Sequence, residues 1–140
     1  MSLWRTYDRL RMLEDELFAE YGLTAQQYNT LRLLASRHPG ALPTLAIAAR
    51  LISRAPDITR LLDKLAERRL IERVRPEDNR RVVNVGITSA GLELLRCLES
   101  AVRDCHERQL GHLKRTELKS LVALLRSARA PHEASGSTWL

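Results

Sequence analysis

The apolar residues of this 140-residue chain change their period twice, and few folds accommodate that. Ile58, Leu61, Leu62 and Leu65 recur at three- and four-residue steps, the stripe of an amphipathic helix. From Ile71 to Arg75 and from Arg81 to Ile87, β-branched residues partly alternate, with Val83, Val85 and Ile87 on one side. Pro76-Glu77-Asp78-Asn79 supplies turn chemistry between them. Leu92, Leu95, Leu98, Ala101, Val102 and Cys105 then restore helical spacing, with Thr88 or Ser89 as the cap. The expected class is mainly α with a small β-hairpin. Aromatic residues make up only 4%, and Leu, Ala and Arg are abundant, which argues against a β-sandwich.

Helical patterns flank this segment. Leu3, Tyr7, Leu10, Leu13, Leu17 and Phe18 mark a first helix that ends before Tyr21-Gly22. Thr24 stands three residues before Gln27, the spacing of a reciprocal cap, and Tyr28, Leu31, Leu34 and Ala35 continue the apolar face until His38-Pro39-Gly40. From Pro43-Thr44 the small residues of Leu45 to Arg50 make a short helix that a neighbour can approach closely. Ser53-Arg54-Ala55-Pro56-Asp57 opens the next, which runs to about Arg69, because Pro suits a first turn and an acid there favours the helix dipole. Leu118, Leu121, Val122 and Leu125 mark a last helix starting near Thr116 and ending near Ala130. Pro131 begins a Gly- and Ser-bearing tail.

A chain of this length holds one core, and 44% hydrophobic with 29% charged residues is a globular balance. No apolar run approaches the roughly 20 residues that cross a bilayer, and Met1-Ser2-Leu3-Trp4-Arg5 lacks a secretory signal. The expectation is a soluble cytoplasmic protein. Net charge is +6, and residues 50 to 81 carry ten basic against six acidic groups, so a polyanion is a favoured partner and a solvated basic face the alternative. Asp57, Arg60, Lys64 and Arg68 follow one another along one helix face. Cys97 and Cys105 are separated by about 12 Å of helix axis, too far for a disulfide, and are read as buried packing thiols. Cys105 with His106 and His112 matches no closed zinc motif. Neither a phosphate-cradling Gly-rich loop nor a nucleophile motif is present, so no enzyme, metal or cofactor is expected.

Two helices joined by a short turn, a basic third element and a hairpin arm suit duplex DNA, whose major groove admits one helix while an arm reaches the minor groove. The stretches Leu42 to Leu51, Ile58 to Arg73, Asn79-Arg80-Arg81-Val82-Val83 and Ile87-Thr88-Ser89-Ala90-Gly91 together resemble the MarR family of winged-helix transcription regulators. The resemblance covers residues from about 3 to 130. It implies a single domain over 1–130, with a winged-helix lobe at about 24–88, dimerisation helices at about 3–20 and 89–130, and a flexible tail over 131–140. It also implies a homodimer on a pseudo-palindromic operator, its two reading helices about 34 Å apart. The chain departs from the family pattern at two places. Asn79 stands where the wing usually has Asp, with Asp78 one place early, so either Arg80 or Arg81 enters the minor groove. Arg69 stands where a Gly usually ends the reading helix.

On this reading the DNA-contacting candidates are Thr44, Ser53, Arg54, Asp57, Thr59, Arg60, Lys64, Arg80 and Arg81. Thr44 and Ser53 serve equally as helix caps, Asp57 as a dipole-stabilising acid, and Arg80 with Arg81 as a guard against strand-edge pairing. Trp4, Tyr7, Phe18 and Tyr28, with Tyr21 nearby, fall where the resemblance places an effector cleft, although packing accounts for aromatics there too. The function expected is a dimeric sequence-specific regulator, a repressor relieved by a small molecule. A winged-helix protein-interaction module without DNA binding is the alternative.

Overall fold

A computed structural model describes residues 1–51, 55–75 and 82–133, residues 55–57 by backbone alone. In chain order they form α1 (Ser2–Glu20), α2 (Ala25–Ala35), β1 (Leu42–Pro43), α3 (Thr44–Arg50), α4 (Ala55–Glu67), β2 (Ile71–Val74), β3 (Asn84–Ile87), α5 (Ser89–Leu110) and α6 (Arg115–Arg129), followed by a 3-10 turn at Ala130–His132. None of these helices is long and apolar enough to cross a membrane.

The helix starts follow their caps. Thr24 Oγ1 accepts from the Gln27 amide at 3.2 Å while Gln27 Oε1 accepts from the Thr24 amide at 2.9 Å, so two otherwise unpaired donors of α2 are satisfied. Of the two candidate caps for α5, Thr88 fills the role, accepting from the Gly91 amide at 3.2 Å. Helix α6 opens at Arg115, one residue before the expected Thr116, because the Glu117 carboxylate reaches back to the Lys114 amide at 2.7 Å.

The sheet has one strand more than the hairpin. Strands β2 and β3 pair antiparallel with Ile71 opposite Ile87, and β1 adds to the other side of β3 with Leu42 opposite Val85. Pro43 caps a helix at Thr44, as expected, and lies as well on an edge strand, where a missing N–H costs no internal ladder bond. The chain turns into α3 directly afterwards, and both the amide and the hydroxyl of Thr44 donate to Val83 O, at 3.0 and 3.2 Å.

One core runs through all of these elements except α6 and the 3-10 turn. Leu31 and Leu34 of α2, Ile47 of α3, Leu62 and Leu65 of α4, Val85 of β3 and Leu98 of α5 are sealed from solvent, and Phe18 of α1 closes one side. At full burial each such leucine contributes about 1.5–3 kcal/mol. Gln109 fastens α5 to the middle of α1 through its Nε2, 2.8 Å from Leu10 O and 3.4 Å from Glu14 Oε1.

Cys97 is exposed, against the expectation of two buried thiols, because its place on α5 faces away from α1 and α2; Cys105 is buried. Burial pushes the Cys105 thiol up, and the nearby Glu14 carboxylate adds to the rise, so the reactive thiolate is scarce. A thiol-alkylating reagent should therefore leave Cys105 unmodified in the folded protein and modify it on denaturation, as peptide mass spectrometry would report.

The end of α4 is abrupt despite lacking glycine. Arg69 adopts φ +57°, its amide donates to Ala66 O at 2.8 Å, and the Leu70 amide donates to Leu65 O at 3.0 Å, the paired bonds of a left-handed helix stop. A side chain in that region costs about 1 kcal/mol. Arg69→Gly should accordingly raise the melting temperature by about 3 °C in a calorimetric scan.

Candidate nucleic-acid interface

The proposed reading face is what α4 leaves uncovered. Ile58, Leu61, Leu62 and Leu65 turn inward, so Thr59, Arg60 and Lys64 are exposed on the opposite side, Arg60 and Lys64 one turn apart. Their charges lie together on one surface. Asp63 lies between them but is engaged elsewhere: its Oδ1 accepts from Arg73 Nη1 of β2 at 2.8 Å, a pair that ties the hairpin to α4. With both side chains about a third to a half exposed, the bond is worth under about 1 kcal/mol. Its larger effect is on charge, since it pairs an acid that stands three residues from Arg60 and next to Lys64 in the chain.

Several sequence-based candidates land differently. Thr44 is the first residue of α3, with Pro43 at the capping position, and its single hydroxyl hydrogen is committed to Val83 O. It can accept from a partner but not donate to a phosphate while that bond holds. Arg68 does not extend the Arg60–Lys64 face as the helical spacing suggested. It follows the last residue of α4, and its guanidinium turns to the end of α1, donating to Gly22 O at 2.7 Å and Tyr21 O at 3.1 Å. Asp57 lies in the first turn of α4, its side chain outside the description. Ser53, Arg54, Arg80 and Arg81 lie outside the described residues, as do the turn at 76–79 and the tail from 134 on.

The aromatic candidates divide into two pairs. Phe18 and Tyr28 stack in the core with ring centroids 4.6 Å apart, and the Arg32 guanidinium lies 5.8 Å above the Tyr28 ring. Burial pushes the Tyr28 phenol up, Arg32 opposes that and Glu14 reinforces it, so the ring stays neutral. Trp4 and Tyr7 are instead exposed on the N-terminal half of α1. A groove of about 370 Å³ runs along that half, lined by Ser2, Arg5, Thr6, Arg9 and Leu10 and by none of the four aromatics.

Three features were missed in the sequence. The Arg68 bridge spans 46 and 47 residues and leaves no local pattern. The left-handed turn at Arg69 falls at the place that the resemblance marked, but without a glycine there the sharpness of the stop was not expected. The third is Gly91, where an added Cβ would collide with Leu70 O and stand 2.6 Å from Ile87 Cγ1. Glycine three places after the Thr88 cap was the available signal.

Comparison with known proteins gives this arrangement a context. Residues 23–83 match the sequence model of the MarR family. A crystal structure of a MarR transcription factor from Planctomyces limnophilus is 58% identical, with 89% of this chain and 90% of that one covered and a TM-score of 0.74. The MepR–DNA complex of S. aureus shares the fold at 23% identity, covering 93% and 96% of the two chains with a TM-score of 0.82. BpsR of Bordetella bronchiseptica, whose DNA binding is regulated by 6-hydroxynicotinic acid, does so at 23% identity over 90% and 89%, with a TM-score of 0.81.

Proposed function

The chain belongs to the MarR family, and on that premise we propose that it is a homodimeric transcription regulator that binds duplex DNA through α4 and the β2–β3 hairpin. The observation that carries this is the exposed Arg60–Lys64 face of α4, backed by a buried stripe and flanked by the hairpin. Arg60 and Lys64 contact base edges or phosphates in the major groove, with Thr59 beside them, and Asp57 stabilises the helix start. Ser53, Arg54, Arg80 and Arg81 complete the surface on sequence grounds, the wing arginines reaching the minor groove. In MepR the same fold is seen on DNA. These features favour DNA over the alternative of a protein-interaction module.

Dimerisation accounts for the apolar surface the single chain leaves open. Leu3, Trp4 and Tyr7 of α1 and Val122, Leu124 and Leu125 of α6 are exposed, and α6 buries none of its 15 residues. A two-fold mate that covers both helices would present two α4 helices to one face of the duplex. The base at 3–20 and 89–130, the lobe at 24–88 and a tail from 131 make one domain with an appendage, and the protein works in the cytoplasm, where its operator is. A small molecule relieves binding by favouring one lobe spacing over another. The regulation of BpsR by a ligand supports that reading.

The test begins with selection from a random duplex library by the purified protein, followed by titration of the selected duplex at several salt concentrations. We expect a two-fold-related sequence and an affinity that falls steeply with salt. Arg60→Ala should reduce the slope by about one per subunit if Arg60 meets a phosphate, or cost about 1–3 kcal/mol at one base pair if it reads a base. A protein that selects no sequence and sediments as a monomer would overturn the reading.

A further inference from the structure

The reading helix is fastened unevenly. Around Ile58, Leu61 and Leu62 it is held by apolar packing, but the three residues that follow it carry a concentration of hydrogen bonds to the helical base. On one side, Thr88 at the start of α5 donates its hydroxyl to Arg69 O at 2.7 Å and its amide to Leu70 O at 3.1 Å, while Gly91 lets the α5 backbone press against the same Leu70 carbonyl. On the other side, the two Nη groups of Arg68 bridge the Tyr21 and Gly22 carbonyls. Tyr21 is the C-terminal cap of α1, and Gly22, at φ +63°, turns the chain away. A cation here meets the negative end of the α1 dipole, and two adjacent carbonyls suit a planar fork better than the point charge of a lysine.

The two attachments differ in kind. The bonds to α5 use the α4–β2 backbone in a joint sealed by Gly91, whereas the bond to α1 is one exposed side chain. Residues 68–70 therefore form a pivot with one fixed bearing and one adjustable strut. The leverage is large. A helix of 13 residues is about 20 Å long, so a rotation of about 10° at its C-terminal end carries the N-terminal end through about 3 Å. That is roughly the rise of one base pair.

We infer that Arg68 is a positioning residue for operator recognition: by bridging the Tyr21 and Gly22 carbonyls it sets the angle at which α4 leaves the base, and so the half-site spacing that the dimer accepts. Arg68 does not touch DNA in this role. The inference rests on the DNA-binding reading above and adds to it the residue that couples α1 to α4.

The test compares the wild-type protein with Arg68→Gln and Arg68→Lys on four duplexes. These are the sequence selected by the wild-type protein, the same sequence with one base pair inserted at its centre, the same with one removed, and a random duplex. Both variants should lose about tenfold in affinity for the selected duplex. They should bind the three spacings with nearly equal affinity, and should match the wild type on the random duplex and in salt dependence. Lysine should fail like glutamine, because the fork and not the charge spans the two carbonyls. Three results would overturn the inference. A salt slope reduced by about one per subunit with equal loss on random DNA would make Arg68 a phosphate contact. Equal loss on all three spacings would leave it a merely structural residue, and retention of the wild-type spacing preference by either variant would remove the need for the bridge. Circular dichroism establishes that each variant is folded, and Arg68→Lys alone carries the comparison should Arg68→Gln misfold. Failure of the wild-type protein to select any duplex would instead bring down the DNA-binding reading, and this inference with it.

Discussion

A protein carrying Arg60→Ala, Arg80→Ala and Arg81→Ala together should lose at least about a thousandfold in affinity for its selected operator while keeping its helix content and its sedimentation as a dimer. Each arginine that reads a base or a phosphate is worth about 1–3 kcal/mol, and a two-fold complex loses each of them twice. The loss need not be fully additive to exceed the roughly 4 kcal/mol that a thousandfold change requires. Folding should be indifferent. Arg60 is exposed on the side of α4 opposite Leu61, Leu62 and Leu65, so truncation there uncovers no core. Electrophoretic mobility shift with the selected duplex measures the first half, and sedimentation with circular dichroism the second. Retained affinity in the triple variant would show that the protein reads DNA with some other surface.

Gly91→Ala should destabilise the protein by about 1–3 kcal/mol and lower its melting temperature by about 3–9 °C. Helix propensity argues the other way, since alanine is favoured over glycine by about 1 kcal/mol inside a helix. Geometry decides the sign. The new Cβ would meet the Leu70 carbonyl oxygen, which is backbone already bonded to the Thr88 amide, and would stand 2.6 Å from Ile87 Cγ1. Neither neighbour can yield without moving the joint between α4 and α5. A melting temperature equal to or above that of the parent would mean that this joint is looser than its contacts indicate. Because the same joint holds the end of the reading helix, the operator affinity of the alanine variant should fall as well.

What the sequence made legible was whatever depends on neighbours along the chain. The helical stripe of Ile58, Leu61, Leu62 and Leu65, the Thr24–Gln27 cap and the β2–β3 hairpin are local patterns, and each has its counterpart in the structure. Long-range features were not legible. Leu42-Pro43 is a strand only because β3 lies beside it, and two residues with a proline carry no strand signal of their own. Periodicity alone put Arg68 on the same face as Lys64, yet the helix stops at Glu67, and the next residue is free to turn to the end of α1. The pairing of Asp63 with Arg73 was likewise invisible until the hairpin was folded back over α4. Aromatic residues close together in sequence separated in space, because Phe18 belongs to the part of α1 that packs on α2 and α5, while Trp4 and Tyr7 belong to the part that extends past them.

No residue of helix α6 is fully buried within its own chain, Leu118 and Leu121 being only partly covered, and 15 residues is close to the length at which an isolated helix is marginal. In the dimer proposed above, the mate supplies the rest of its order, by mass action. Dilution should unwind this segment first, at concentrations where the lobe around Leu31 and Leu65 is still intact, so that the ellipticity of a freshly diluted sample decays in two stages rather than one.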